Sequence, residues 1–403
     1  MQHYIEAEIV QHVPLDYQYP EKQAITLFAR DVFAAGNENA EIMIFFNGGP
    51  GFSCIRDWRN TAWIIEALKT HRIILLDQRG TGRSQTIDLA TIKAYSSPEI
   101  LSDYLTHFRA DNIVRDAEFL RENVLKRTKI TILGQSFGGF VVLSYLSMAP
   151  QSLNSAFITA GIAPLACTSA QEIYHALIEN ICLRNEEFYQ RFPNDKKKAQ
   201  AIIANLQQKP MAVGGEVLTV ERFLDLGWYF GQENGFDTVH HLLDEAFCDE
   251  NMALLSWRFA KNVLQATSFW EMNPLYSILH EACYCNGYGS HWAADQVKQE
   301  IKAFSSEEIP PYFSGETVRQ KMFKDYVGLQ NFSAAADILA NKTNWPMLYD
   351  IESLKNNTVP LSVLLMTDDF YVNYEFKQYC SVKLKLVNSI ILKQFLDQAK
   401  KEF

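Results

Sequence analysis

Short apolar runs alternate with longer helical patterns between about residues 25 and 160. Residues 42–46, 73–76, 130–133 and 156–159 are apolar or nearly so, and Gly, Asn or Asp follows each run within two residues. Runs of this length and composition are typical of strands that are buried on both faces of a parallel sheet. The pattern therefore predicts an α/β protein with a mostly parallel sheet flanked by helices.

The hydrophobic pattern changes after this region and changes back near the end of the chain. Residues 202–206 show helical periodicity, and an apolar run typical of a strand returns at 361–366. We predict an inserted helical cap over residues 164–341. Residues 1–163 and 342–403 then form the first and last segments of one core, the last with an atypical C-terminus.

The charge and cysteine content argue against several classes of function. The formal net charge of −10 disfavours binding to nucleic acid, whose phosphates need a basic surface. No stretch approaches the ~18 consecutive apolar residues of a membrane-spanning helix, and the chain starts without the basic and apolar regions of a secretory signal. Seven scattered cysteines without a Cys-x-x-Cys pair suit reduced thiols. We expect a cytoplasmic protein without a membrane or nucleic-acid partner.

No motif indicates a metal or a cofactor. The chain contains no His-Glu-x-x-His sequence, phosphate loop or dinucleotide fingerprint. His240, His241 and Glu245 follow one face of a predicted amphipathic helix. We therefore expect neither a metal nor a cofactor.

The strongest chemical signal is Gly-Gln-Ser-Phe-Gly-Gly at residues 134–139, between the predicted strand 130–133 and an apolar helical stretch. A G-x-S-x-G elbow turns sharply from strand to helix and exposes a strained serine above the sheet. Ser136 is therefore the predicted nucleophile. The alternative is a glycine-rich turn that contains a serine without a catalytic role.

Two upstream loops follow predicted strands. In Asn47-Gly48-Gly49-Pro50-Gly51 the glycines permit close approach of the backbone to a ligand. We predict an oxyanion hole formed by backbone N–H groups of Gly48, Gly49 and Phe137, although a simple tight turn would use the same glycines. The second loop, residues 77–84, reads as structural, with Asp77 paired to Arg79.

These three motifs, in this order, resemble those of the prolyl aminopeptidase (proline iminopeptidase) family. They are Asn-Gly-Gly-Pro-Gly, Asp-Gln-Arg-Gly-x-Gly-x-Ser and Gly-Gln-Ser-Phe-Gly-Gly, and the resemblance continues to about residue 376. It implies an α/β-hydrolase fold and release of N-terminal proline from small peptides through an acyl-enzyme on Ser136.

A catalytic acid should follow the serine in the chain order of this fold. Asp369 lies just beyond the predicted strand 361–366, where the family pattern places its carboxylate. Asp368 is the second candidate. A solvated Asp-Asp turn is the structural alternative.

Recognition of a free N-terminal amine requires an acceptor, and buried carboxylates bind ammonium groups by charge-assisted hydrogen bonds. Through the resemblance, Glu281 is the first candidate and Glu316 the second. Trp270, Tyr276 and Trp292 are candidates for an apolar slot that holds the proline ring. Core packing is the alternative role for these aromatic residues.

The catalytic histidine is missing, because no histidine follows His291. His71 precedes its strand and is expected at the opposite end of the sheet. His280 and His291 lie in the predicted cap, where reaching Ser136 would need an unusual arrangement. A truncated or frameshifted C-terminus would explain the loss, as would a genuine loss of activity.

Two other functions remain open. An esterase of the same fold would hydrolyse simple esters that lack a free amine. A non-catalytic binding protein would bind prolyl ligands without turning them over. Fold alone does not choose among these functions, and the oligomeric state is not predicted.

Overall fold

The computed structural model describes residues 3–304, 312–366, 370–371 and 388–391. Ten strands lie within these residues. They are β1 (Tyr4–Pro14), β2 (Ala24–Ala34), β3 (Glu41–Phe46), β4 (His71–Asp77), β5 (Ile130–Gln135), β6 (Leu153–Thr159), β7 (Met211–Val213), β8 (Glu216–Leu218), β9 (Leu361–Leu365) and β10 (Asn388–Ile391).

Eight of the strands form one sheet in the order β1-β2-β4-β3-β5-β6-β9-β10. The pairs from β4 to β10 are parallel, whereas β1 and β2 add an antiparallel edge. The predicted α/β class and mostly parallel sheet are confirmed. The apolar runs did not predict the edge pair, because β1 is largely exposed and polar, and the buried residues Arg30 and Asp31 interrupt the apolar pattern of β2.

Helices flank this sheet and fill the middle of the chain. They are α1 (Ala62–Ala67), α2 (Pro98–Thr106), α3 (Ala110–Phe119), α4 (Phe137–Met148), α5 (Ala170–Arg191), α6 (Pro193–Gln208), α7 (Val220–Leu224), α8 (Gly235–Asp244), α9 (Trp257–Ala266), α10 (Phe269–Met272), α11 (Pro274–Leu279), α12 (Ala293–Glu300), α13 (Met322–Asp325), α14 (Ser333–Ala340) and α15 (Ile351–Lys355).

The central strands are apolar throughout because both of their faces are covered. In β4, Ile74 and Leu76 belong to the large core, whereas Ile73 and Leu75 pack with Trp58 in a smaller cluster on the other face. All five side chains have no measurable exposure. Consecutive side chains of a strand point to opposite faces of the sheet, so a strand that is buried on both faces is apolar at every position.

The sheet is assembled from two separate stretches of the chain. β9 pairs with β6, with Ala156 opposite Leu361, after about two hundred residues that are mainly helical. This topology places the carboxyl ends of β3, β5, β6 and β9 at one edge of the sheet. The division at residues 163/164 and 341/342 stays a prediction.

Arg79 does not pair with Asp77, contrary to the sequence interpretation. Its guanidinium binds Asp116 through two hydrogen bonds of 2.6 and 2.7 Å, and neither side chain is exposed. Three further bonds of 2.8–3.1 Å reach the carbonyl oxygens of Pro14, Leu15 and His107. Arg79 thus ties the end of β1 to α3 and to the chain that precedes it.

Asp77 instead accepts hydrogen bonds from its own surroundings. The backbone N–H groups of Cys54 and Arg83 donate to its carboxylate at 2.8 and 2.9 Å. A Cβ at Gly82 would overlap this carboxylate. The loop over 77–84 is therefore closed by backbone donors rather than by a local ion pair.

Within the part of the chain that the structure describes, no helix combines the length and apolar character needed to cross a membrane.

We predict that Arg79→Met destabilises the protein strongly, because it leaves the buried Asp116 carboxylate without its cation. Breaking one side of a buried ion pair costs about 3–5 kcal/mol. The measurement is the free energy of unfolding in urea. Arg83→Met, in the same loop but paired with Glu8 on the surface, is the control, and its unfolding midpoint should stay close to that of the wild type. Equal effects of the two substitutions would contradict the prediction.

Candidate active site

Ser136 occupies a strained turn between β5 and α4. Its φ of 53° and ψ of −121° lie outside the regions that residues with a side chain normally adopt. The turn is held on both sides, since Ser136 N donates to Thr159 O at 2.9 Å and Gly139 N donates to Ser136 O at 2.8 Å. Ser136 remains partly exposed. This is the geometry predicted for the nucleophile elbow.

Glycines surround the elbow because no side chain fits there. A Cβ at Gly134 would overlap the Gly138 carbonyl oxygen, and one at Gly138 would overlap the Phe46 carbonyl oxygen. A Cβ at Gly139 would overlap the Gly161 carbonyl oxygen. Strand, turn and helix therefore touch through bare backbone, which explains the Gly-x-Ser-x-Gly-Gly spacing.

Gly161 is a further member of this packing that the sequence analysis did not single out. A Cβ at Gly161 would overlap the carbonyl group of Ser136 itself. The available signal was its position two residues after the predicted strand 156–159. A glycine at the end of a buried strand marks close approach of another backbone.

The glycine loop, residues 47–51, lies directly beside Ser136. A Cβ at Gly48 would lie 3.1 Å from the Ser136 Cβ and 3.7 Å from its Oγ. Among the described residues, no acceptor binds the backbone N–H of Gly48 or Gly49. Phe137 is the first residue of α4, where backbone N–H groups have no partner inside the helix. The three predicted oxyanion donors thus flank the serine.

The other side of the glycine loop packs against the helical region. A Cβ at Gly51 would lie 2.5 Å from the Tyr276 backbone nitrogen, and the rings of Phe52 and Tyr276 lie 5.0 Å apart. The Tyr276 hydroxyl donates a short hydrogen bond to Glu316 Oε1. This series of contacts connects the serine loop to one of the two predicted amine-binding carboxylates.

A second series of contacts starts at α4. Phe140 lies one helical turn after the serine, and its ring centroid is 5.7 Å from that of Tyr284. Tyr284 in turn lies 6.1 Å from Tyr174 and 6.3 Å from His280. The helical region therefore covers the elbow through both the loop and α4.

Glu281 is buried in this region, with 5% of its surface exposed. Its Oε1 accepts the Ala294 N–H at 2.9 Å, at the start of α12, whereas Oε2 has no partner among the described residues. Burial raises the pKa of Glu281 to about 7, against the opposing effects of the Ala294 N–H and of the nearby Ser290 side chain. A nearby cation would restore its negative charge.

The structure brings together only part of the predicted slot. The negative charges of Glu281 and the half-buried Glu316 both add to the effect of burial in raising the pKa of the Tyr174 hydroxyl. Trp270 stacks on Tyr276 at 5.3 Å. Trp292 is placed differently: its indole donates to Asp337 at 3.0 Å and packs on Phe323. Tyr174 was missed, because an aromatic residue in a helix carries no separate signal.

The predicted acids Asp369 and Asp368 lie outside the described residues. The next residue, Phe370, is buried, and its ring would meet a Cβ at Gly315 at 3.0 Å. Tyr371 donates to the Trp228 carbonyl at 3.1 Å. Phe370 and Tyr371 therefore pack against the helical region, next to Gly315 and Trp228.

All nine histidines of the chain are described, and none hydrogen-bonds Ser136. His71 begins β4, at the end of the parallel sheet opposite the elbow. His291 Nδ1 lies 3.3 Å from Asn341 Oδ1. His280 is buried, and neither ring nitrogen makes a hydrogen bond of ordinary geometry within the described residues, although the Glu316 backbone acts to raise its pKa.

One group of side chains in the described residues has the spacing of metal ligands. Donor atoms of Asp195, His240 and Asp244 lie within 4.8 Å of one another. The Lys198 ammonium, however, donates to Asp195 at 2.9 Å and also binds Asp244. This cation already bridges the two carboxylates, so the group is an ion-pair network.

Comparison with known proteins identifies the family. Residues 41–202 match a family model described as the alpha/beta hydrolase fold. The chain is 38% identical over 371 residues to the proline iminopeptidase of Aeromonas sobria, a match that covers 91% of this chain and 86% of that protein. The chain belongs to the proline iminopeptidase family.

A second member of the proline iminopeptidase family, aneH of Aspergillus aculeatus, is 32% identical over 94% of this chain and 86% of that protein. The crystal structure of the proline iminopeptidase of Mycobacterium smegmatis aligns over 95% of this chain and 89% of that chain, with 12% identity and a TM-score of 0.40. The TM-score is too low to support an argument. The family resemblance inferred from the motifs is confirmed, and by family the chain is a hydrolase.

We predict that Gly161→Ala lowers the free energy of unfolding by about 3 kcal/mol, because a new methyl group must displace the Ser136 backbone. Gly36→Ala is the control. Gly36 has a φ of 92° and open space around it. Gly36→Ala should therefore lower the free energy of unfolding only by the backbone strain of an alanine at positive φ, about 1–2 kcal/mol. Urea unfolding of both variants measures the difference. A smaller effect of Gly161→Ala than of Gly36→Ala would contradict the packing described above.

Proposed function

We propose that this chain is built as a cytoplasmic serine aminopeptidase that accepts small peptides with an N-terminal proline. The observation that carries the proposal is Ser136, held at a φ of 53° beside a glycine loop whose Gly48 and Gly49 N–H groups bind no acceptor in the described residues. The names of the relatives supply the substrate class.

In this proposal Ser136 Oγ attacks the carbonyl carbon of the first residue. The carbonyl oxygen becomes an oxyanion, which accepts hydrogen bonds from Gly48, Gly49 and Phe137. The general base takes the Ser136 hydroxyl proton and passes it to the peptide nitrogen, so that the C–N bond breaks and the rest of the peptide leaves as a free amine. Water then hydrolyses the acyl-enzyme, and Ser136 regains its proton. Asp369, with Asp368 as the second candidate, would orient the general base of this cycle.

In this proposal Glu281 anchors the free amine of the substrate, and Glu316 is the second candidate for this role. A cation at Glu281 Oε2 would offset the desolvation of this buried carboxylate. Trp270 and Tyr276 are stacked next to the loop and would hold the proline ring. An N-terminal amine bound at a fixed distance from Ser136 limits the enzyme to removing one residue.

One observation favours a second candidate function, binding without turnover. None of the nine histidines, all of which lie within the described residues, hydrogen-bonds Ser136. Loss of a triad histidine lowers kcat by a factor on the order of 10⁶. The proposed fold and amine site would then bind prolyl ligands and release them unchanged.

We predict that the 403-residue chain hydrolyses proline β-naphthylamide at nearly the same low rate as Ser136→Ala. Added imidazole should raise the rate of the wild type but not that of Ser136→Ala, because free imidazole can replace a missing base. Release of naphthylamine measures both rates. Fast turnover that Ser136→Ala abolishes would show that the chain has a base, and an equal imidazole response in both proteins would exclude Ser136 as the nucleophile.

We predict that the affinity for prolinamide falls as the pH is lowered through about 7. Burial raises the pKa of Glu281 to about 7, so the neutral acid predominates at lower pH and does not attract the ammonium. The association constant should lose about tenfold per pH unit well below this pKa and level off above it. Isothermal titration calorimetry between about pH 5 and 7.5 measures it.

Two variants test the assignment to Glu281. Glu281→Gln should bind weakly with little pH dependence, whereas the exposed Glu179→Gln should follow the wild type. The neighbouring His280 does not titrate in this range, because burial lowers its pKa to about 4. A flat profile in the wild type would be inconsistent with Glu281 as the amine anchor.

A further inference from the structure

Three buried side chains near the proposed amine site carry polar atoms without a partner in the described residues. They are both ring nitrogens of His280, Oε2 of Glu281 and the hydroxyl of Tyr174. Their residues are 3%, 5% and 0% exposed. Leaving a buried polar group unpaired is costly, so such groups in a native protein usually meet a ligand, an ion or an ordered water.

His280 lies between two aromatic residues that contact the two halves of the serine site. Its ring is 5.2 Å from Tyr276 and 6.3 Å from Tyr284. The Tyr276 backbone packs against Gly51 of the glycine loop, and Tyr284 packs against Phe140 of α4. The imidazole, with the Glu316 backbone as its nearest polar neighbour among the described residues, is therefore placed beside the region where a substrate would reach Ser136.

The imidazole offers an acceptor at neutral pH. Burial lowers the pKa of His280 to about 4, so the ring is neutral and has one donor nitrogen and one acceptor nitrogen. Glu281 Oε2, from the next residue, is a second acceptor. The N-terminal ammonium of proline is a secondary amine with two N–H groups, whereas other amino acids present three.

We infer that His280 is a specificity-determining residue of the amine site: one ring nitrogen accepts one N–H of a secondary ammonium, and Glu281 Oε2 accepts the other. A primary ammonium leaves a third N–H unpaired in a buried site, and its binding is weaker for that reason. Selectivity for proline then follows from the number of N–H groups as well as from ring shape. The inference rests on the proposed function, because it takes Glu281 as the amine anchor.

Calorimetry with three ligands tests this inference. They are prolinamide, the amide of N-methylalanine, which is an acyclic secondary amine, and alaninamide, which is a primary amine. The wild type should bind both secondary amines more tightly than alaninamide. His280→Phe keeps a ring but no acceptor, and should weaken binding of the secondary amines by about tenfold to a hundredfold, with less effect on alaninamide. His280→Gln keeps an amide acceptor and should recover part of the affinity.

The two possible roles of His280, in binding substrate and in stabilising the fold, predict opposite effects of His280→Phe on stability. If the ring exists to bind substrate, His280→Phe removes two unsatisfied buried atoms, and its Tm should equal or exceed that of the wild type. A lower Tm with an equal loss of affinity for all three ligands overturns the inference.

Failure of the proposed function can be recognised separately. A wild type that binds no prolinamide, or a Glu281→Gln variant that binds it as well as the wild type, overturns both proposals. Normal binding that depends on Glu281 but is unchanged in His280→Phe overturns the role of His280 alone.

Discussion

The packing of bare backbone around Ser136 is the constraint on which the rest of the site depends. The Ser136 carbonyl lies against Gly161, and the carbonyls of Gly138 and Phe46 occupy the space of side chains at Gly134 and Gly138. Only this contact lets β5 turn into α4 within one residue. It also fixes the distance from β3 to the serine, and hence the position of the glycine loop that β3 carries.

The same constraint reaches the helical region through two sets of contacts. The loop presses Gly51 against Tyr276, whose hydroxyl binds Glu316, and α4 presents Phe140 to Tyr284. A displacement of the elbow would therefore move the proposed nucleophile and the proposed amine site together. An enzyme that cuts after the first residue needs such a fixed distance between the two.

Two sets of buried polar groups in the described residues differ in how completely they are hydrogen-bonded. Arg79 and Asp116 are buried with five hydrogen bonds from the guanidinium, which is the arrangement of a structural ion pair. Within the described residues, Glu281 and His280 are buried with polar atoms that make no hydrogen bond, and burial shifts the pKa of each so that the neutral form is favoured. These atoms lie in the helical region that packs on the Ser136 turn, and they support the proposed ligand site there.

The sequence determined those elements that depend only on the residues within a short stretch of the chain. Apolar runs predicted the central strands because both faces are buried, and the glycine motifs predicted the elbow because only glycine fits there. The antiparallel edge β1–β2 was not predicted, because β1 is largely exposed and polar and because buried Arg30 and Asp31 interrupt the apolar pattern of β2.

Tertiary structure alone decided which distant residues meet. Arg79 pairs with Asp116 rather than its neighbour Asp77, and Trp292 packs on Phe323 away from the other slot aromatics. Gly161, Tyr174 and His280 acquire their places beside the site only when β6 and the helices fold onto the elbow. Pairing and burial of this kind depend on contacts between residues far apart in the chain, which a local pattern does not encode.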